Sequence, residues 1–258
     1  MAANDPGQPP LTSPSTGGGI VSINLPPPSV ALAVAAHPDD VEFGAGGTLA
    51  KWAGAGCVVH HLVCTDGAKG TWDVDADTAA LVVTRQHEQR AAARALGATG
   101  EVVFLGWPDG ELESGLRQRW EVAYWIRRLQ PDVVLGHDPW KRYRLHPDHR
   151  HAGLLVCDGI VAARDPHFFP EQQLPHHRPA TLLLWEADEP DHAEDVSTTI
   201  DRKLAALEAH ESQFESTMKA KDEEQLAAFR TRVRERLTDN GARAGLPAAE
   251  LFKRITDL

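Results

Sequence analysis

Cysteine is scarce in this 258-residue chain: Cys57, Cys64 and Cys157 are the only three, an odd number with no C-x-x-C spacing. That argues against a disulfide framework and against a thiolate metal site, and makes a reducing compartment, the cytoplasm, the expected location. Long apolar runs are missing as well. The most hydrophobic stretches, Ser29–Ala36 and Thr181–Trp185, fall well short of the ~20 residues that span a bilayer, so no membrane passage is expected. Basic residues are outnumbered, with 26 Lys and Arg against 37 Asp and Glu, and the net charge is −11. This deficit gives no general attraction to nucleic-acid phosphates or anionic lipid, and neither is expected as a partner.

What remains is an ordinary globular composition, 42% hydrophobic and 24% charged, which suits one domain. Residues 1–28, rich in Pro, Gly, Ser and Thr, lack a basic segment followed by an apolar one, and read as a disordered tail ahead of a single domain over 29–258. A PxxP ligand for a partner is the other use of such a tail.

From residue 29 short apolar runs alternate with helical patterns. The runs at Ser29–Ala36, Cys57–Cys64, Glu101–Phe104, Asp132–Gly136 and Thr181–Trp185 predict strands, and Gly46–Ala55, Thr78–Leu96, Gly115–Leu129 and Pro147–Val161 predict helices. The alternation predicts an α/β fold, a Rossmann-like, doubly wound and mostly parallel sheet with helices on both faces. Runs apolar at every position, such as Val30–Val34, suit strands buried on both sides. Residues 186–195 read as an acidic solvated loop, 201–236 as one or two late helices, and 241–258 as a final short helix.

Ligands of an open parallel sheet bind at the carboxyl ends of its strands, so the segments that follow strands matter most. The first predicted strand runs into Ala36-His-Pro-Asp-Asp-Val-Glu-Phe-Gly44. His37 and Asp40 can converge on one cation there and leave the Asp39 carboxylate free beside it. Helix capping by Asp39 or Asp40 is the plainer use. The fourth strand is followed by a second His-Pro-Asp element, His146-Pro-Asp-His149, whose two histidines are three apart and share a face at a helix start. Two imidazoles and a carboxylate holding zinc with an open fourth position describe a catalytic site, since structural zinc favours cysteine.

These residues resemble the PIG-L/LmbE-like zinc-dependent N-deacetylases. The likeness covers AHPDDVEFGAGGTLAKW at 36–52, CTDGAKG at 64–70, TRQHEQRAAARALG at 84–97, FLGWPDGEL at 104–112, HPDH at 146–149 and KLAALEAHESQF at 203–214. It implies His37, Asp40 and His149 as zinc ligands, Asp39 as general base, a protonated His146 as the group that polarises the acetyl carbonyl, and Arg85 and Asp109 as contacts to sugar hydroxyls. The implied substrate is a small N-acetylglucosaminyl compound. A thiol conjugate or an antibiotic amide would use the same chemistry, ferrous iron is an alternative occupant of such a site, and a homo-oligomer is compatible with the likeness.

Each assignment has a plainer counterpart. Arg85 lies three residues before Glu88, the spacing of a surface ion pair, and Asp109 sits in a Pro-Asp-Gly turn signal. His210 can face the site or simply pack. Tyr143 and Arg144 can line the crevice, His151, His176 and His177 read as loop or surface residues, and 163–180 reads as part of the substrate wall. Gly44-Ala-Gly-Gly-Thr-Leu49 after a strand would suit a nucleotide phosphate, but it lacks the G-x-G-x-x-G order, and close helix–sheet packing is the preferred use of its glycines. A metal-binding but non-catalytic relative is the remaining alternative.

Overall fold

The computed structural model describes residues 19–258; the greater part of the predicted tail, residues 1–18, lies outside the described residues. Strands β1 (Ser22–Ile23), β2 (Val30–Ala35), β3 (Val58–Thr65), β4 (Val102–Trp107), β5 (Val133–His137), β6 (Thr181–Trp185), β7 (His192–Asp195) and β8 (Ala249–Ile255) form one sheet in the order β1-β7-β8-β6-β5-β2-β3-β4. All pairings are parallel except those of β8, which runs antiparallel to both β6 and β7. The helices are α1 (Asp40–Gly54), α2 (Thr78–Leu96), α3 (Leu116–Leu129), α4 (Pro147–Arg164), α5 (Ile200–Glu208) and α6 (Glu223–Ala244).

The side-chain alternation of β2 divides the core. Leu32 and Val34 face the helices α3 and α4 through Val122, Ile126, Leu155 and Val156, whereas Ala31, Ala33 and Ala35 face α1 and α2 through Val41, Leu49 and Ala92. Alanines on that second face let α1 settle close to the sheet, and Trp52, Trp185 and Phe252 fill the remaining volume. A third cluster, built on Val196, Leu207, Phe229 and Val233, packs α6 against α5.

Three expectations are corrected. Within the predicted tail, Ser22–Ile23 form β1 and pair with β7, the amide of Val21 donating to the Asp191 carbonyl at 2.9 Å. The acidic stretch 186–195 ends in β7, whose His192 and Glu194 are fully buried; Glu194 accepts from the Leu25 amide at 2.7 Å and pairs with Lys51. The final helix is instead β8. Its local sequence, Ala249-Glu-Leu-Phe-Lys-Arg-Ile255, has no clean two-residue alternation, but β6 and β7 leave a gap that its backbone fills from both sides, a tertiary requirement that overrides local pattern.

Chain order reverses between β2 and β5, which are neighbours with β3 and β4 on one side and β6 on the other. The crevice at this switch point opens at the carboxyl ends of the two strands.

Candidate active site

The end of β2 delivers His37 and the end of β5 delivers His137, while α1 and α4 begin at the same rim with Asp40 and His149. Asp39 precedes α1 with φ +95°, a left-handed conformation uncommon for a residue with a side chain, and its carboxyl makes no capping bond. The capping reading therefore fails. The twist is held instead by Gln89 of α2, whose Oε1 accepts the Asp39 amide at 2.9 Å.

Three ligand-type atoms converge: His37 Nδ1 lies 3.3 Å from Asp40 Oδ2 and 3.2 Å from His149 Nε2, and His149 Nε2 lies 3.3 Å from Asp40 Oδ1. These residues form one of the groups that could hold a metal ion among the described residues. His37 Nε2 points the other way, 3.1 Å from Asp148 and 3.2 Å from Asp109, which fixes the ring and leaves Nδ1 as the free lone pair. Asp148 is in turn held by the amides of Gly110 at 2.6 Å and Leu112 at 3.2 Å. A further group, His137, His149 and Glu186, already contains a cation: the Arg144 guanidinium lies 3.3 Å, 3.1 Å and 2.7 Å from them. Ligation through His149 Nε2 puts that imidazole's proton on Nδ1, so the Arg144–His149 contact and a bound cation exclude each other, and Arg144 then keeps Glu186.

Asp39 lies beside this cluster. Burial pushes its carboxyl up, and the Arg85 guanidinium pulls it back, leaving it at about 6. Arg85 is itself buried: Nη1 donates to the Gly67 carbonyl at 2.9 Å, Nη2 donates to the Pro38 carbonyl at 2.6 Å, and Nη2 lies 3.4 Å from Asp39 Oδ2. Room for it depends on glycine, since a Cβ on Gly70 would fall 2.3 Å from Arg85 Nη1 and one on Gly67, at φ +70°, 2.8 Å. Two separate sequence motifs, the glycines of 64–70 and the arginine of 84–97, are thus one device. No surface pair between Arg85 and Glu88 forms; Glu88 instead accepts from Ser212.

His146 stands at the mouth, stacked on His149 with ring centroids 4.7 Å apart and edge-on to His37 at 4.7 Å. Partial burial, then the neighbouring His37 and His149, hold its pKa below the usual histidine value. Asp109 sits in the turn that its Pro-Asp-Gly signal predicts and also faces the cleft. Its turn places Gly110 at φ +80°, and its carboxylate accepts the Lys69 amide at 2.9 Å while facing His37. His210 does not reach the cleft. It is fully buried behind α1, with Nε2 3.3 Å from Glu42, which Gln89 links onward at 2.8 Å toward Asp39.

His137 is absent from the predicted set although it ends a strand at the switch point. Burial pushes it down to about 4; Trp185 Nε1 donates to its Nδ1 at 3.0 Å, and its Nε2 lies 3.2 Å from Asp40. It therefore orients the Asp40 carboxylate. Tyr143 is 87% exposed and lines no part of the cleft. Nor does any residue of 163–180: that loop folds under α3, where Arg127 donates to the carbonyls of Asp165, Phe168 and Phe169. His151 bonds Ser114, and His177 meets the Pro131 carbonyl at 2.7 Å. The glycines of α1 serve packing, since a Cβ on Gly47 would lie 2.8 Å from Val196 and one on Gly44 2.5 Å from Trp185. The cleft encloses about 450 Å3, a volume in the range of small-molecule sites.

A crevice at the switch point of a doubly wound sheet, lined by imidazoles and carboxylates arranged around one point, has the make-up of an enzyme active site with a group of residues that could hold a metal ion. Residues 32–159 match the PIG-L family model, described as GlcNAc-PI de-N-acetylase. The chain is 35% identical over 186 residues to a diacetylchitobiose deacetylase of Thermococcus kodakarensis, covering 71% of this chain and 69% of that protein. It is 29% identical to a 4-oxalmesaconate hydratase of Pseudomonas putida, covering 72% and 74%. Its fold matches the N,N'-diacetylchitobiose deacetylase from Pyrococcus horikoshii with a TM-score of 0.81 at 27% identity, over 89% of this chain and 84% of that one. The chain belongs to the PIG-L family, as an amide-bond hydrolase of the deacetylase type.

Proposed function

We propose that the protein is a zinc-dependent hydrolase that removes the acetyl group from the amide nitrogen of a small N-acetylglucosaminyl compound. The observation that carries this reading is the convergence of His37 Nδ1, Asp40 and His149 Nε2, 3.2–3.3 Å apart, with the unshared Asp39 carboxyl alongside. A tetrahedral ion with ligands about 2.0 Å away separates them by about 3.3 Å, and two neutral imidazoles with one carboxylate are a zinc donor set. Ferrous iron accepts the same donors.

The bound metal would polarise the amide oxygen and lower the pKa of water toward ~7. Asp39, at about 6, accepts the proton of the attacking water and later returns it to the departing amine. Arg85 keeps that carboxyl ionised and aimed. His146 donates an N–H to the oxygen on which negative charge develops. Asp109 and Asp148 hold His37, so Asp109 acts through that ring, and both Asp109 and Arg85 lie where a sugar hydroxyl can reach them.

The test is acetate release from N-acetylglucosamine, diacetylchitobiose and N-acetylglucosaminyl-inositol by metal-stripped protein with and without added zinc. Zinc-restored release from any of them is expected. Hydration of 4-oxalmesaconate in place of acetate release would move the reading to the activity named for the Pseudomonas putida relative. No helix among the described residues is long and apolar enough to cross a membrane.

A further inference from the structure

The active-site cleft continues into a second chamber of about 200 Å3, and the two share Phe43, Gly44, Glu186 and Arg236 as walls. This chamber is cationic in a chain whose net charge is −11. Lys141 reaches it from the loop after β5, and Arg236, Asn240 and Arg243 reach it from α6 at an i, i+4, i+7 spacing that places them on one helix face. Among the described residues none of the three cations forms an ion pair. The other arginines of α6 with polar partners are committed elsewhere: Arg230 to Glu208 and Glu223, Arg234 to Asp201, and Arg232 to the Met218 carbonyl. The chamber's two carboxylates are likewise spoken for, Glu186 by Arg144 at 2.7 Å and Glu250 by Lys203 at 2.6 Å. Three cations without an ion-pair partner thus line one chamber that opens onto the amide-cleaving centre, where they favour an anionic group.

We infer that this chamber is a subsite for an oxyanion, carboxylate or phosphate, carried on the portion of the substrate joined to the amino sugar, with Arg236 at the junction and Arg243 and Lys141 deeper. The inference rests on the de-N-acetylation reading and sharpens it, because it selects acidic conjugates over neutral ones. Guanidinium groups suit this task through their forked donors.

The experiment compares two anionic probes, N-acetylglucosaminyl L-malate and N-acetylglucosamine 1-phosphate, with two neutral ones, diacetylchitobiose and N-acetylglucosaminyl-inositol, on the zinc-loaded wild type and on Arg236→Gln and Arg243→Gln. Acetate release and calorimetric binding are both read. At least one anionic probe is expected to exceed the neutral ones in kcat/KM by about tenfold, and each substitution to remove about tenfold of that through KM, the worth of one charged hydrogen bond. Neutral probes should change less than about twofold in Arg243→Gln, since that arginine is exposed, unpaired and outside the active-site cleft. Preference for the malate conjugate identifies a carboxylate site, and preference for the phosphate a phosphate site. Equal turnover of anionic and neutral probes, or equal losses on both in the variants, overturns the subsite. If no probe releases acetate, the deacetylase reading fails instead, and calorimetry decides the subsite: anion binding that depends on Arg236 and Arg243 keeps it, and its absence removes it.

Discussion

Replacing Gly44 by alanine isolates the packing that supports the His37–Asp40–His149 cluster. A Cβ at this position in α1 would fall 2.5, 2.6 and 2.8 Å from Cδ2, Cγ and Cε2 of Trp185. The indole is only 1% exposed and cannot swing into solvent. Forcing a methyl into a well-packed core costs about 1–3 kcal/mol, and overlap with three atoms of a rigid ring puts this case near 3. Alanine regains about 1 kcal/mol over glycine inside a helix, so the net loss is about 2 kcal/mol. For a domain of this size that lowers Tm by about 4–8 °C. A functional effect follows from the same displacement, because Trp185 Nε1 bonds His137, which bonds Asp40. Zinc affinity measured by competition with a chromogenic chelator should therefore fall along with Tm. Gly54→Ala is the control: at the far end of α1 its Cβ would meet only Arg202 Nη1 at 3.6 Å, and it should raise Tm slightly. Thermal melts and zinc titrations of both variants decide the matter. A Gly44→Ala protein that melts at or above wild type and binds zinc normally would refute the reasoning.

Other perturbations test the chemistry directly. Asp39→Asn keeps a residue that tolerates φ +95°, so zinc should remain stoichiometric by atomic absorption while kcat drops by about 10²–10⁴; full turnover would remove Asp39 from the role of base. Arg85→Gln takes away the charge that holds Asp39 down, so its pKa rises from about 6. Because the base works deprotonated, the acid limb of the kcat–pH profile should move to higher pH, and an unmoved limb would contradict the assignment. Burial pushes the thiols of Cys57 and Cys157 up to about 11 and about 12, and Cys64 higher still. Native protein at pH 8 should hardly react with iodoacetamide, whereas unfolding should expose all three to labelling.

The parts of this molecule that were legible in its sequence are those whose signal is local. Helix and strand periods predicted α2 to the residue and β6 likewise, and the two His-Pro-Asp elements stood out because each follows a strand. His137 was missed because it is the strand's own last residue, and a histidine closing an apolar run gives no pattern of its own. Arg85 showed only its helical neighbour at i+3; the glycines that bury it are at 67 and 70, and nothing in the sequence says that those loops meet. The same applies to β8, whose identity comes from a gap between β6 and β7, and to the loop 163–180, whose anchoring by Arg127 across α3 turns it away from the cleft. The cationic chamber was illegible for a related reason: Arg236 and Arg243 look like any solvated helix face until Lys141, nearly a hundred residues earlier, is brought opposite them.

Strand β8 has a consequence for biosynthesis. Glu250 on that strand accepts the amides of Gly47 and Thr48 at 2.9 and 2.8 Å, and Lys203 donates to the Phe43 carbonyl at 2.9 Å, so the helix that starts with Asp40 is fastened by groups encoded 160 to 203 residues later. Domains tend to organise from the amino terminus as they emerge from the ribosome. Here the early half can lay down β2, α1 and β3, but the Gly47 and Thr48 amides lack their Glu250 partner, and the sheet stays open between β6 and β7, until the last strand is released. A nascent chain stalled short of residue 249 would thus carry His37, Asp40 and His149 without a firm frame for them, and the proposed metal site should mature only after synthesis of the sheet is complete.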